Sequence, residues 1–125
     1  MKPKAARQLV EDYVNGWRNS DPQKILSTLT PDCVVIESHG PTYHGHAVVQ
    51  RWIESWFAEG SRVDRWDITG LHCMDDTAVF EWDFLCTVEE KQYQLQGISI
   101  VEFEEDKIVA LREYRRTEMP FAWSG

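Results

Sequence analysis

The chain has 125 residues, 42% hydrophobic and 27% charged, proportions that suit one globular core and exclude a disordered chain. Its formal net charge of −8 makes the counterion contribution to binding a nucleic acid repulsive and argues equally against an anionic membrane as partner. No apolar run approaches the ~18 residues of a membrane span. The three cysteines, Cys33, Cys73 and Cys86, form no C-x-x-C pair and follow no signal peptide, so they read as small buried residues of a reducing, cytoplasmic protein.

Met1–Lys4 reads as a loose start. From Ala6, apolar residues recur at Leu9, Val10, Tyr13, Val14 and Trp17, the spacing of an amphipathic helix, and Asn19-Ser20 ends it. Asp21-Pro22 is a helix start, an acceptor at the cap followed by proline in the first turn. It opens a short helix burying Ile25, Leu26 and Leu29, which Thr30-Pro31-Asp32 stops. Cys33–Ser38 is β-branched and reads as a strand. Gly40-Pro41 turns the chain, and Thr42–His44 returns as a short strand. A third helix is expected over His46–Glu59 with Val49, Trp52, Ile53, Trp56 and Phe57 as its stripe and Gly60 just past its end.

Four strands follow, over about 62–74, 77–88, 91–104 and 107–117. The acidic pairs Asp75-Asp76, Glu89-Glu90 and Glu105-Asp106 read as hairpin turns. The order α-α-β-β-α-β-β-β-β predicts an α+β fold with helices laid on one face of an antiparallel meander.

A two-residue turn at Glu89-Glu90 predicts the pairs Val88–Lys91, Cys86–Tyr93, Phe84–Leu95, Trp82–Gly97 and Phe80–Ser99. Continuing the meander predicts Phe103–Ile108, Val101–Ala110, Ser99–Arg112 and Gly97–Tyr114. One face then carries Phe80, Trp82, Phe84, Leu95, Val101 and Phe103, with Ser99, Arg112 and Tyr114 among them. A one-residue slip would mix the faces. Gly97 beneath Trp82 marks a bend covered by an aromatic ring. The opposite face carries Val79, Ile98, Ile100 and Leu111 among carboxylates and amides, a patch that predicts a homodimer surface. The strand around Trp66 is open to a bulge.

With these elements in order, the chain resembles the nuclear transport factor 2-like (NTF2-like, cystatin-like) superfamily and, within it, the SnoaL-like proteins related to polyketide cyclases and ketosteroid isomerases. Tyr13–Trp17 ahead of Asp21, "LTPDCVVIES", "YHG" before the third helix and "GISIVEFEEDKIVALREY" carry the resemblance. It covers about residues 5–117, leaving 118–125 as a tail of a single domain over 1–125. It implies a cone in which three helices pack on a strongly curved sheet around a pocket, and frequent dimers. Its members include enzymes and non-catalytic binders, so it does not fix a function. The segments "LVEDYV", "DCVVIE" and "ISIVEF" are similar to ketosteroid isomerase segments. The similarity implies Tyr13 as an oxyanion donor, Glu37 as a general base, and Ser99 where that family has a protonated aspartate.

The residues themselves leave alternatives open. Glu37 is either a base whose pKa an apolar pocket would raise or a solvated glutamate at a strand end. His39 is either an acid/base group beside Glu37 or a turn residue, and Tyr13 donates either to a ligand or to backbone. Arg112 is expected on the packed face, where an arginine needs a carboxylate or an anionic ligand; pairing with Glu37 would lower that residue's pKa. Trp17, Trp52, Trp56, Phe80, Trp82 and Tyr114 are the expected ligand-binding walls. His44-x-His46, even with Glu37, His39 and His72, is too weak a pattern for a metal site. No glycine-rich phosphate loop, nucleophile elbow or catalytic-cysteine signature is present, so no cofactor is expected. Three functions remain: a cofactor-free acid/base enzyme on a small hydrophobic carbonyl compound, a non-catalytic ligand-binding module, and an interaction domain using the outer sheet face.

Overall fold

The computed structural model describes residues 1–125. Helix α1 spans Pro3–Arg18 and so starts before the expected Ala6: Pro3 occupies the first turn, where its missing N–H costs nothing. Ala6, Val10, Tyr13, Val14 and Trp17 form its buried stripe. Helix α2 spans Pro22–Ser27, and Asp21 Oδ1 accepts from the Lys24 N–H at 3.2 Å, capping a donor that would otherwise lack a partner.

Strand β1 spans Leu29–Ile36, four residues earlier than expected. Pro31-Asp32 does not separate the helix from the strand; it lies inside the strand, exposed, within a shift of register between Leu29 and Val34. Leu29 and Thr30, just before it, are buried. Strand β2 is Thr42–His44, and helix α3 runs His46–Ala58 with Gly60 just beyond at φ 85°. Strands β3 (Arg62–Met74), β4 (Thr77–Val88), β5 (Lys91–Glu104) and β6 (Lys107–Arg115) complete one six-stranded sheet in the order β2-β1-β6-β5-β4-β3. Strand β1 joins β6 in parallel and the other neighbours are antiparallel. The acidic pairs are the hairpin turns. Glu89-Glu90 and Glu105-Asp106 hold φ between 50° and 65° at both positions, a conformation glycine or asparagine usually supplies.

All five predicted β4–β5 pairs are observed. Trp82 does cover Gly97: a Cβ placed on Gly97 would lie 2.8 Å from the Trp82 ring and 2.1 Å from the Tyr114 carbonyl oxygen. Two register shifts in β3, between Val63 and Arg65 and between Ile68 and Gly70, flank Trp66.

The β5–β6 register departs from expectation beyond its first pair. Phe103 pairs with Ile108 as predicted. A bulge then leaves Val109 unopposed, so that Val101 faces Leu111, Ser99 faces Glu113 and Gly97 faces Arg115. The physical reason is burial. The bulge sends both Ile108 and Leu111 into the core, each fully buried, and turns Arg112 outward, avoiding the desolvation of an arginine. Leu111 is therefore a core residue and not part of the outer patch. Arg112 and Tyr114 lie on the outer face, where Arg112 donates to Glu102 at 2.5 Å and Tyr114 is 52% exposed. The core lies between the helices and the concave face, from Ala6, Val10 and Ile53 to Phe80, Val101 and Leu111.

Candidate functional site

At one end of the core the sheet and helices do not meet, leaving a cavity of about 760 Å³. Each wall comes from an identifiable element. Helix α1 supplies Tyr13 and Trp17, one turn apart on its buried stripe. Helix α3 supplies Trp52 and Trp56, likewise one turn apart. Trp17 meets Trp52 at 5.0 Å and Trp56 edge-on at 5.5 Å between ring centroids, the geometry aromatic quadrupoles favour. Tyr43 of β2 lies flat on Trp52 at 4.1 Å and 10°. Trp66, Trp82 and Phe84 close the sheet side through edge contacts of 5.2–6.4 Å.

Polar groups enter this aromatic space from two directions. The first is the end of β1 beside β6. Ile36 and Arg112 are paired in the parallel ladder, so the next positions, Glu37 and Glu113, are cross-strand neighbours, and both line the cavity. Tyr43 Oη donates to Glu37 Oε1 at 2.6 Å. Burial, followed by the negative charge of Glu37, pushes the Glu113 carboxyl up to about 8, against a smaller pull from the Ser38 backbone. Two carboxyl groups this close do not both ionise freely. Glu113 therefore favours its protonated form beside Glu37.

The second direction is helix α1. Tyr13 is 2% exposed and reaches the cavity. Burial first, then the charge of Glu113, raise its pKa, so it remains a phenol. The Trp17 indole leans toward its oxygen but does not attain hydrogen-bond geometry. An indole can only donate, which leaves the phenol proton free to donate into the cavity. Cys86 also lines the cavity; burial raises its thiol to about 11, too high for a thiolate nucleophile at neutral pH.

Of the residues singled out from sequence, the fold brings Tyr13, Trp17, Glu37, His39, Trp52, Trp56 and Trp82 to this cavity. Phe80 is fully buried behind the wall. Ser99 is also fully buried, its hydroxyl accepting the Trp82 indole N–H at 3.0 Å. Arg112 and Tyr114 lie on the other face, and Arg112 pairs with Glu102 rather than Glu37. Sequence reasoning missed Glu113, Tyr43 and Arg115, which do line the cavity. The signal for Glu113 was the three-residue spacing of Ile108 and Leu111, which a straight strand cannot bury together. His46, half of the His-x-His pattern, engages the Leu26 carbonyl at 3.1 Å.

The fold is shared with proteins of low sequence identity. An LEH-like epoxide hydrolase of M. tuberculosis superposes with a TM-score of 0.82 at 15% identity, over 90% of this chain and 84% of that one. A putative polyketide cyclase of Xanthomonas campestris gives 0.73 at 16%, over 89% and 90%. A protein of ketosteroid isomerase-like fold from Catenulispora acidiphila, in complex with trimethylamine, gives 0.74 at 15%, over 91% and 86%. These likenesses establish the NTF2-like fold, as the sequence led one to expect. A comparison with curated proteins gives no significant match. The model of the SnoaL-like domain matches residues 10–111, and the chain belongs to that family.

Proposed function

We propose that the protein is a cofactor-independent acid/base catalyst that moves a proton on a hydrophobic carbonyl compound, as an isomerase, cyclase or dehydratase does. The observation that supports this best is the Glu37–Glu113 pair, two neighbouring carboxyls lining an aromatic cavity, of which burial and the charge of Glu37 push Glu113 up to about 8. Pairs of titratable groups pushed apart in this way suit acid and base roles at one pH. Glu37, oriented by Tyr43, takes a proton from the carbon beside the carbonyl. Tyr13 and the neutral Glu113 donate to the oxygen as charge develops on it. The proton held by Glu37 then returns to a different carbon, or the enol carbon attacks within the same molecule and closes a ring. The tryptophan walls exclude water, and His39 supports the carboxyl pair from the turn after β1. Ser99 and Arg112 have no part in this scheme, being engaged by Trp82 and Glu102.

The test is deuterium exchange at the α-carbon of 1-tetralone, followed by NMR. The wild-type protein accelerates exchange and Glu37→Gln does not. Saturable tryptophan quenching by the ketone without acceleration in the wild type would turn the reading into a non-catalytic binding module. Neither effect would favour an interaction domain. The small molecules bound or processed by proteins of this fold are consistent with a pocket for such a ligand.

The proposal includes a cytoplasmic homodimer. Val79, Ile98 and Ile100 remain part-exposed on the outer face beside Tyr114, and a second copy would cover them. Light scattering should give a dimer mass for the wild type and a monomer mass for Ile100→Asp; a monomeric wild type refutes this part.

A further inference from the structure

The cavity has two ranks of ionisable side chains, on β6 and on the turn segment that follows β1. Glu37 and Glu113 form the inner rank. Two residues further along each segment, His39 and Arg115 also line the cavity, and both are exposed at its mouth. Alternate residues of a strand lie about 7 Å apart on one face. The chain runs outward here, from the carboxyl pair to the solvent edge of the sheet.

Arg115 has no carboxylate partner. Arg7, Arg62, Arg65 and Arg112 each pair with an acid within 4.0 Å; Arg115, like Arg18, Arg51 and Arg116, pairs with none, and of these four it is the one that lines the cavity. It faces Gly97 across the ladder, a position that the Trp82 ring covers. The opposite wall ends in Glu59, just past α3. The mouth is thus positive on the β6 side and negative on the α3 side, which gives an entering charged molecule one favoured orientation.

We infer that Arg115, with His39 beside it, receives an anionic group on the substrate, so that the substrate class is a hydrophobic carbonyl compound carrying a carboxylate or similar anion about one six-membered ring away from the reacting carbon. This rests on the proposed use of the cavity as the substrate site. The spacing follows from β6: Arg115 stands about 7 Å further out along the strand than Glu113, so with the carbonyl at the carboxyl pair the anion lies outward on the Arg115 side. A guanidinium offers planar, paired donors that suit a carboxylate or sulfonate. The anion would stay near the mouth, partly hydrated, while the ring system fills the tryptophan-lined interior. The carboxyl pair is thereby spared an anion in its own rank.

The test uses two fluorescent probes of one ring skeleton, 8-anilinonaphthalene-1-sulfonate and its uncharged counterpart N-phenyl-1-naphthylamine, titrated against the wild type, Arg115→Gln and Arg115→Lys. The wild type should bind the sulfonate about tenfold more tightly than the neutral probe at low salt, as expected for one charge-assisted contact at a partly exposed site. Salt should weaken the preference. Arg115→Gln should abolish it while changing the affinity for the neutral probe by less than about twofold, and Arg115→Lys should keep part of it. No preference in the wild type, or a preference that survives in Arg115→Gln, overturns the inference while leaving the acid/base reading intact. Binding of neither probe overturns the cavity reading and this inference together. An Arg115-dependent sulfonate preference in a protein that exchanges no ketone deuterium upholds the anion site and removes only the catalytic role.

Discussion

Tyr43 donates a 2.6 Å hydrogen bond to Glu37 Oε1 while its ring lies flat on Trp52. The phenol's pKa is raised, by burial first and then by this bond, so Tyr43 stays a donor at any physiological pH. In the proposed scheme Tyr43 is a positioning residue: it orients the Glu37 carboxyl without touching the carbon from which Glu37 would take a proton. Tyr43→Phe keeps the stacked ring and removes the bond. A hydrogen bond to a charged group is worth about 1.5–3 kcal/mol, part of which goes to orientation. The exchange rate at saturating ketone should fall about tenfold with little change in half-saturation. An unchanged rate would mean that the carboxylate is oriented without Tyr43.

Burial, and then the charge of Glu37, push the Glu113 carboxyl up to about 8 from its ordinary 4.5. The folded state thus binds its proton more tightly than the unfolded chain. The sign follows from linkage: between about pH 4.5 and 8 the native state carries more protons, so rising pH lowers stability. Below this window the group has no effect, and above it the penalty is complete. Glu113→Gln removes the titration. Urea unfolding should show variant and wild type alike near pH 4.5, with the variant more stable by about 2 kcal/mol at pH 8.5, a value discounted for cavity solvent and for coupling to Glu37. Parallel stability curves for the two proteins would refute an elevated Glu113.

Ser99 lies where the resemblance to ketosteroid isomerases implies a donor, yet it is fully buried and accepts from Trp82 Nε1 at 3.0 Å. Ser99→Ala leaves that indole N–H without a partner in the core. The expected result is a loss of about 1–3 kcal/mol of stability with the rate per folded molecule unchanged. Measured by unfolding and by ketone exchange, a stable variant with a collapsed rate would put Ser99 in the chemistry after all.

The contrast between Ser99 and Glu113 shows what the sequence could and could not disclose. The elements and the β4–β5 register were legible because aromatic and acidic residues alternate from Phe80 to Phe84 and the acidic turn counts the offset. Helix α1 placed Tyr13 and Trp17 correctly for the same reason: its period of 3.6 puts them on one buried stripe. The site's second carboxyl was hidden by one residue. Val109 bulges, and every side chain after it changes faces, exchanging Arg112 and Tyr114 for Glu113 and Arg115. A bulge leaves no mark in alternation alone; its trace was the competition between a buried Leu111 and a buried Arg112. Tyr43 escaped notice because a three-residue strand carries too few positions to define a face. Its role depends on the turn that folds it back onto Glu37.

The bend that places β6 in this register meets its tightest point at Gly97. A Cβ there would lie 2.1 Å from the Tyr114 carbonyl oxygen, 2.9 Å from the Arg115 Cα and 2.8 Å from the Trp82 ring. Two of these neighbours are backbone, so no rotamer change relieves the contact. Gly97→Ala must push β6 away from β5 at the rank that carries Arg115, and it should cost more than about 3 kcal/mol or prevent folding. The milder test is Trp82→Phe, which removes the ring atom over the glycine but keeps an aromatic wall. In that background Gly97→Ala should remain as damaging, because the backbone contacts are untouched. If the smaller ring restored stability, the cover by Trp82, rather than the close approach of the two strands, would be what demands glycine.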